Sequence, residues 1–531
     1  MFALLSGSFH TAAAQSTTSL QTDATVLPRR SFDVQFLSSW TRFDQLLGNG
    51  GQRNLGASFN VDSLTGAQIP GIPTNSLIQS AAGVSNLQVT AGSIRSAADS
   101  RIVTAPIILE YGLTRRLTLG VVVPLVETRT TFIAGLNIKP GTANVGLNPA
   151  ILNGGDWSHN KSVVDALTSA ASALQGQLAG CQAAPSGSGC QALLAQQGAA
   201  MALIATTSSF ANSLALIYGT GNANPGTTFV PITGGNIQQA IDKRLVDIVT
   251  TYQQSFGTTV STGALNGASI PANDVLNAVL LETGYDTLQS PDRSSIGDIS
   301  IGATYQLSNT FPDSIPDDGF HQRVAVNATG RIGTGEPANR NRLFDNPTGY
   351  GQPGLVLGAA GDFAWGRRWE VSALGSYTMQ FGSVDVSRVP NTAYAAFPLT
   401  EPLGGTYSAG NVLSITVLPR IGLARYFSIN GVYSLVHVAA DQYLAPASPA
   451  EPDASAIESV LLPIAAAPFG NDAATLQQIG FGFSYSTSQL LRAPGRIPAE
   501  VSFRHFETLS VFGGPAPKAI QDQITLRIFF H

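Results

Sequence analysis

The side chains in this chain that could do chemistry are few and scattered. The six histidines are His10, His159, His321, His437, His505 and His531. None belongs to an H-E-x-x-H pair or stands beside a Cys-x-x-Cys that would collect a metal. No G-x-S-x-G turn raises a serine nucleophile, and no glycine loop ending in G-K-[ST] cradles phosphate. His437 follows Ser434, and His505 follows Ser502, each by three positions. On a strand of period two that places the pair on opposite faces, so neither makes a dyad. These residues predict no enzyme, no metal and no cofactor. The two cysteines, Cys181 and Cys190, have no His or carboxylate nearby to complete a metal site. In an oxidising compartment they predict one disulfide closing a short loop, with a metal pair as the competing reading.

What remains is a set of charges of both signs at the polar positions of alternating segments. Asp33, Glu110, Asp298, Asp362, Glu370 and Glu500 stand against Arg323, Arg331, Arg420, Arg504 and Arg527. If these side chains line one interior, they either form a path for a solute or pair into a network that fills it. A barrel of about twelve strands lies between side-chain-filled small barrels and open porins, so the two readings stand together.

The elements that would position these charges are strands. Charged residues make up only 11% of the 531 residues, against roughly 25% in an ordinary globular domain. That is too little for an ordinary soluble surface, yet long uniformly apolar helices do not dominate the chain. A transmembrane barrel falls between, because lipid-facing apolar residues alternate with polar lumenal ones. The net charge of −5 without a long basic run gives no case for nucleic acid.

Period-two alternation recurs over Ser31–Phe43, Arg101–Leu113, Leu117–Phe132, Ile296–Leu307, His321–Gly333, Gly354–Trp365, Arg368–Phe381, Asn411–Ala424, Phe427–Ala440, Leu476–Gln489, Glu500–Ser510 and Ala519–His531. Each is long enough to span a bilayer when tilted. Short links follow the even-numbered segments, such as Leu113–Arg116, Gly366-Arg367 and Arg425-Tyr426, with longer turns near Ser308–Phe320 and Leu490–Ala499. Mostly long Gly/Pro/Asn-rich segments follow the odd ones. Short periplasmic turns and long outer loops have this asymmetry.

In the last segment Ile520, Ile524, Leu526, Ile528 and Phe530 share one face, with Asp522 as the exception, and Gln521, Gln523, Thr525, Arg527 and Phe529 share the other. The apolar set should face lipid. Aromatics gather at the short-turn ends (Phe32, Tyr111, Tyr305, Trp365, Trp369, Tyr426, Phe427 and Phe530), as an interfacial girdle would. The chain finishes Phe529-Phe530-His531, close to the terminal aromatic that the barrel-assembly machinery reads.

The fold class expected is therefore all-β: a transmembrane antiparallel β-barrel of about twelve strands, or fourteen if the segments flanking the insertion hide another hairpin. A large, mostly helical extracellular insertion accompanies it. Residues 1–14, with Ala12-Ala13-Ala14 as an A-x-A site, read as the remnant of a signal peptide whose basic start lies upstream. Residues 15–132 carry the first three strands and the first outer loop, 133–295 the insertion, and 296–531 the remaining nine strands.

Within the insertion, helical spacing appears over Lys161–Gly180, Gln191–Tyr218, Ile237–Phe256 and Asn273–Thr283, and Cys181 and Cys190 staple the first turn. No charge occurs between Asp165 and Asp242. The stretch Ala199–Gly219 reads as a packed helix of a cap or plug rather than a membrane span. An uncharged surface suits lipopolysaccharide, an apolar solute or a protein partner.

Three segments resemble a known family. They are Ile108–Val121 with the following Pro124, Gly297-Asp298-Ile299-Ser300-Ile301-Gly302-Ala303, and Gly330-Arg331-Ile332-Gly333-Thr334-Gly335. They are similar to outer-membrane proteins named for the meta-cleavage pathway of phenol degradation. That group is distantly like the long-chain fatty-acid transporters, which release hydrophobic molecules sideways through the barrel wall. The resemblance covers the strands, about half of the chain, and not the insertion. It implies an outer-membrane channel for passive uptake of small hydrophobic or aromatic compounds. The alternative is a barrel-anchored surface protein whose insertion binds a partner. Fatty-acid transporters also hold an N-terminal hatch in the lumen. Gln15–Arg30 is too short to form one, so no lumenal hatch is expected here.

Overall fold

Twelve antiparallel strands close into one barrel in this computed structural model. It describes residues 23–66, 71–136, 143–152, 156–268, 286, 290–312, 319–339, 342, 345–390, 400–444, 473–487 and 498–530. The strands are β1 (Phe32–Phe43), β2 (Ile94–Gly112), β3 (Leu117–Leu136), β4 (Ile299–Asn309), β5 (Phe320–Ile332), β6 (Gly354–Trp365), β7 (Trp369–Gln380), β8 (Val412–Gly422), β9 (Phe427–Val438), β10 (Ala474–Ser486), β11 (Ala499–Gly513) and β12 (Ile520–Phe530). Each pairs with its neighbours in sequence, and β12 returns to β1 through Phe32↔Phe530 to Arg42↔Ile520. Closure leaves no open edge, as a structure in lipid requires.

The walls are inverted relative to a soluble sheet. On β1 the buried side chains include Asp33, Gln35, Ser39 and Thr41, while Phe32 and Phe36 are exposed. On β12 Gln521, Gln523 and Arg527 are buried, while Ile520 and Ile524 are exposed. The same inversion puts Leu109, Leu125, Ile301, Leu357, Ile415 and Phe481 on the outside. Polar residues inside and a mostly apolar exterior are the surface pattern of a barrel whose solvent is lipid. The aromatic girdle lies at the short-turn end, where Phe32 stacks on Phe530 at 4.8 Å and Phe320 meets Trp365 at 5.5 Å.

At the other end β2 and β3 rise beyond their neighbours. The described residues of 44–93 and 143–268 cover them as one hydrophobic unit. It contains α1 (Asn75–Ala82), α2 (Ser158–Ala183), α3 (Cys190–Ala195), α4 (Gln197–Tyr218) and α5 (Asn236–Phe256). Val163, Leu167 and Leu174 of α2 pack with Phe210, Leu214 and Ile217 of α4, and Ile241, Leu245 and Ile248 of α5 join them. The first outer loop shares this core through Leu55, Leu64, Ile72 and Ile78. Arg244 of α5 donates to the carbonyls of Ser80 and Ala81 at the end of α1, where a cation also complements the helix dipole. The core continues into the barrel mouth at Ile94, Ile102 and Val126.

Cys181 and Cys190 are bonded, joining α2 to α3. The helix expected over Gln191–Tyr218 is divided at Gln196 into α3 and α4. α1, which carries little periodicity, was not expected. Its start is set by Thr74, whose side chain accepts from the Leu77 amide, and its end by Gly83 in the left-handed region at φ 68°, the usual chemistry of helix termini. The signal remnant expected over 1–14, the helix expected over Asn273–Thr283, the turn at 490–497 and His531 lie outside the described residues.

Candidate functional site

Period-two geometry aims the charged candidates inward, and register decides which of them meet. Asp33 on β1 lies opposite Glu110 on β2, and Arg527 on β12 reaches both. It donates to Asp33, to Glu110 at 2.9 Å and to Asp23 at 3.5 Å. Gln35 adds a bond to Glu110 at 3.3 Å. Across the barrel Arg323 on β5 clasps Asp362 on β6 through Nε at 3.0 Å and Nη2 at 2.9 Å. Arg420 on β8 pairs with Glu370 on β7 at 3.4 Å. Glu500 accepts from Ser486 at 3.4 Å, and Arg504 makes no ion pair among the described residues. These groups share the short-turn half of the lumen. Buried charges persist when paired and hydrogen-bonded, and all but Glu500 and Arg504 are in ion pairs.

Asp23 belongs to a segment whose position sequence reasoning missed. Residues 23–31 run inside the barrel, contrary to the expectation that no hatch forms. The Arg30 amide donates to the Gly112 carbonyl, and Gly112 returns a bond to Ser31, both at 2.8 Å. Leu27 donates to Thr118 Oγ1 at 2.9 Å, and Ala24 donates to Asp362 at 3.1 Å. Ala24 packs on Ala325 and Ala360 of the far wall. The chain thus crosses the lumen from β1 to β6 in about eight residues. The expectation failed because it assumed that a plug needs a fold of its own. An extended segment suffices when the walls supply its hydrogen bonds. A side chain at Gly112 would overlap the Pro28 carbonyl, so that glycine is what lets the segment pass.

Asp298 and Arg331 lie apart from this cluster, near the mouth. The wall strand at 292–309 carries a bulge there. Leu125 faces Ile296 and Val122 faces Ser300, so two residues of β3 oppose three. One of the two is Pro124, which has no amide to offer. Bulges re-aim side chains. Here the Asp298 carboxylate takes the amides of Gly335 at 2.8 Å, Tyr350 at 2.7 Å and Gly351 at 3.3 Å. Thr334 bridges the bulge by donating to the Gly297 carbonyl at 2.7 Å and accepting from the Ile299 amide at 3.0 Å. A Cβ on Gly335 would come within 2.5 Å of Gly349 Cα.

The described residues of the loop 333–353 are therefore pinned to the wall, and they fold inward. Asn346 is buried and donates to Ser100 at 2.5 Å and Thr130 at 2.8 Å on the inner face of β2 and β3. Arg293 holds Asp345 at 2.8 Å. Asp298 and Arg331 stand 3.7 Å apart, and Arg331 also donates to Gln380 and to the Gln352 carbonyl. The loop's role was not legible beforehand; the only hint was its density of Gly and Asn. The two glycine-containing segments at 297–303 and 330–335 are brought together at this pin.

Among the described residues, His437 and His505 each lie apart from the serine three positions before them. His437 bonds Thr475 at 2.9 Å, while Ser434 bonds Thr416 on the inner face. His505 lies between Asp522 at 2.7 Å and Glu507 at 3.2 Å on the outer wall, which accounts for the charged exception on β12.

No family model matches the chain, and no curated protein matches it by sequence. Solved structures similar to it include an outer-membrane channel from Pseudomonas putida F1, with 11% identity, a TM-score of 0.40, and coverage of 96% of this chain and 100% of that one. The Pseudomonas putida toluene transporter TodX shows 11% identity, a TM-score of 0.22, and coverage of 95% and 89%. A Pseudomonas aeruginosa FadL homologue shows 8% identity, a TM-score of 0.25, and coverage of 94% and 90%. At that distance the likeness says nothing of what passes through this barrel. Closure, the apolar exterior and the girdle of this chain make it a twelve-stranded β-barrel of the bacterial outer membrane.

Proposed function

We propose that the chain is a passive outer-membrane channel for small hydrophobic or aromatic compounds. The observation that carries this reading is the loop 333–353, whose described residues fold into the mouth and are held at the wall bulge by the Asp298 carboxylate. A barrel serving only as an anchor needs no such inward loop. The short turns face the periplasm in this reading, and the cap of residues 133–295 faces outward. Its uncharged stretch between Asp165 and Asp242 gathers apolar solute and contacts lipopolysaccharide. Asp33, Glu110, Asp298, Arg323, Arg331, Asp362, Glu370, Arg420, Arg504 and Arg527 line the path and set its resistance to ions. The barrel-assembly machinery reads β12. No enzyme activity and no cofactor enter the reading.

One observation favours the anchor as a second reading. Met201, Leu216 and Val246 are more than half exposed on the cap helices, as a protein-binding face would be. Uptake of phenol into liposomes holding the refolded protein separates the two. Uptake above that of empty liposomes, with selectivity altered by deleting the Asp156–Asp286 insertion, supports the channel. No uptake from either form leaves the anchor.

A further inference from the structure

Arg504 differs from the other inward arginines. Arg323, Arg331, Arg420 and Arg527 each have a carboxylate oxygen within 3.7 Å. Arg504 has none among the described residues, although Glu500 lies on the same face of the same strand. Its Nε is buried without a hydrogen-bond partner, and so is Oδ1 of Asn430. The two are neighbours. The inner row runs Glu370↔Arg420↔Asn430↔Gly482↔Arg504 in direct register. Over Gly482, which has no side chain, Asn430 Oδ1 and Arg504 Cγ lie 2.6 and 3.0 Å from the place a Cβ would occupy. Arg420 touches Glu370 through one nitrogen at 3.4 Å, so further donors of its guanidinium are available.

Two residues along the same strands the inner wall turns apolar. Leu418, Val432 and Phe506 form a buried cluster with Leu374 against it. A guanidinium nitrogen buried with its donor unused is costly to keep. This wall elsewhere supplies a carboxylate for each arginine. Cationic donors beside an apolar patch complement a ligand with an anionic head and a hydrocarbon body.

We propose that Arg504, with Arg420 and the amide of Asn430, binds the carboxylate of an apolar carboxylic acid whose hydrocarbon part rests on Leu418, Val432 and Phe506. A half-turn of the Asn430 amide presents its N–H to the same carboxylate. The site deepens the channel reading and relies on it for the ligand's route in.

The test is equilibrium binding of 4-phenylbutyrate to the full chain in lipid nanodiscs, with empty nanodiscs as blank and 4-phenylbutanol as the neutral analogue. The wild-type protein should hold the acid about tenfold more tightly than the alcohol. Arg504→Gln should abolish that preference, and Phe506→Ala should weaken both ligands. Equal binding of acid and alcohol by the wild type overturns the proposal without recourse to any variant. Retained preference in Arg504→Gln, or competition by chloride as effective as by phenylbutyrate, also overturns it. Because binding is read rather than flux, acid preference without phenol uptake sinks the channel reading alone. Phenol uptake without acid preference sinks this site alone.

Discussion

Replacing Arg527 by Met should destabilise the barrel more than any other single substitution in the lumen. Arg527 is 7% exposed, and its partners Asp33 and Glu110 are 0% and 8% exposed. Methionine keeps the unbranched stem of the side chain and most of its volume, so the loss is chiefly electrostatic rather than a cavity. Two buried carboxylates are left facing each other in register, with Asp23 close by. Removing one partner of a buried ion pair costs about 3–5 kcal/mol. That lowers the folding equilibrium constant by roughly three powers of ten. The cost comes from the stranded carboxylates. The triple variant Arg527→Met, Asp33→Asn, Glu110→Gln should therefore recover to within about 1–2 kcal/mol of the wild type. Urea titration in lipid vesicles, followed by tryptophan fluorescence and by the gel mobility of the folded barrel, reads both numbers. Asp23 loses its nearest cation too, so residues 23–31 should become sensitive to added protease. A loss under about 1 kcal/mol for the single variant, with no recovery in the triple, would mean that water already solvates these carboxylates. The ion-paired lumen argued here would then be wrong.

Other expectations concern the cap. Reducing the Cys181–Cys190 bond, or replacing both residues by Ser, opens a loop with a sequence separation of 9. It should cost the helical unit roughly 2.5 kcal/mol by loop entropy, seen as a lower melting temperature by circular dichroism with the barrel transition unchanged. Tyr218→Phe removes the donor that Gln238 Oε1 accepts at 2.6 Å in a fully buried contact, a loss of about 1–2 kcal/mol. Burial also pushes the Tyr218 phenol above its ordinary value of 10.0. The unfolded chain then releases this proton before the folded one, so the stabilisation present below pH 10 falls as pH rises further. Alkaline titration of the cap's helicity should show that loss in the wild type and a smaller one in Tyr218→Phe.

The strands were legible because each wall has lipid on one side and polar company on the other, which writes period two directly into the sequence. Gly354–Trp365 was placed to the residue. β2 and β3 were placed too short, ending at Arg101 and Phe132 where the structure runs to Ile94 and Leu136. There the outer face carries Arg95, Asp99 and Arg101 and no longer needs to be apolar, so the alternation fades while the pairing continues. The pairing of Asp33, Glu110 and Arg527 could not be read, because sequence gives the face of each residue but not the register between β12 and β1. The segment 23–31 and the loop 333–353 are held in large part by their own backbone amides, which donate to Thr118, Asp362 and Asp298 of the wall. Backbone amides are the same in every residue, so those tethers leave little signature beyond the glycines that permit close approach, and no period marks the side-chain tethers of Asp345 and Asn346.

The most direct test of the account asks whether solute passes the inward loop. Asp298→Ala removes the carboxylate that holds the amides of Gly335, Tyr350 and Gly351, and it lies outside the network around Arg527. Initial rates of phenol entry would be measured in liposomes carrying equal amounts of folded wild-type and Asp298→Ala protein. The wild type should exceed empty liposomes, and the variant should exceed the wild type as the loop leaves the mouth. A wild-type rate equal to that of empty liposomes, with the variant no faster, would contradict the channel and leave the barrel as an anchor for its cap.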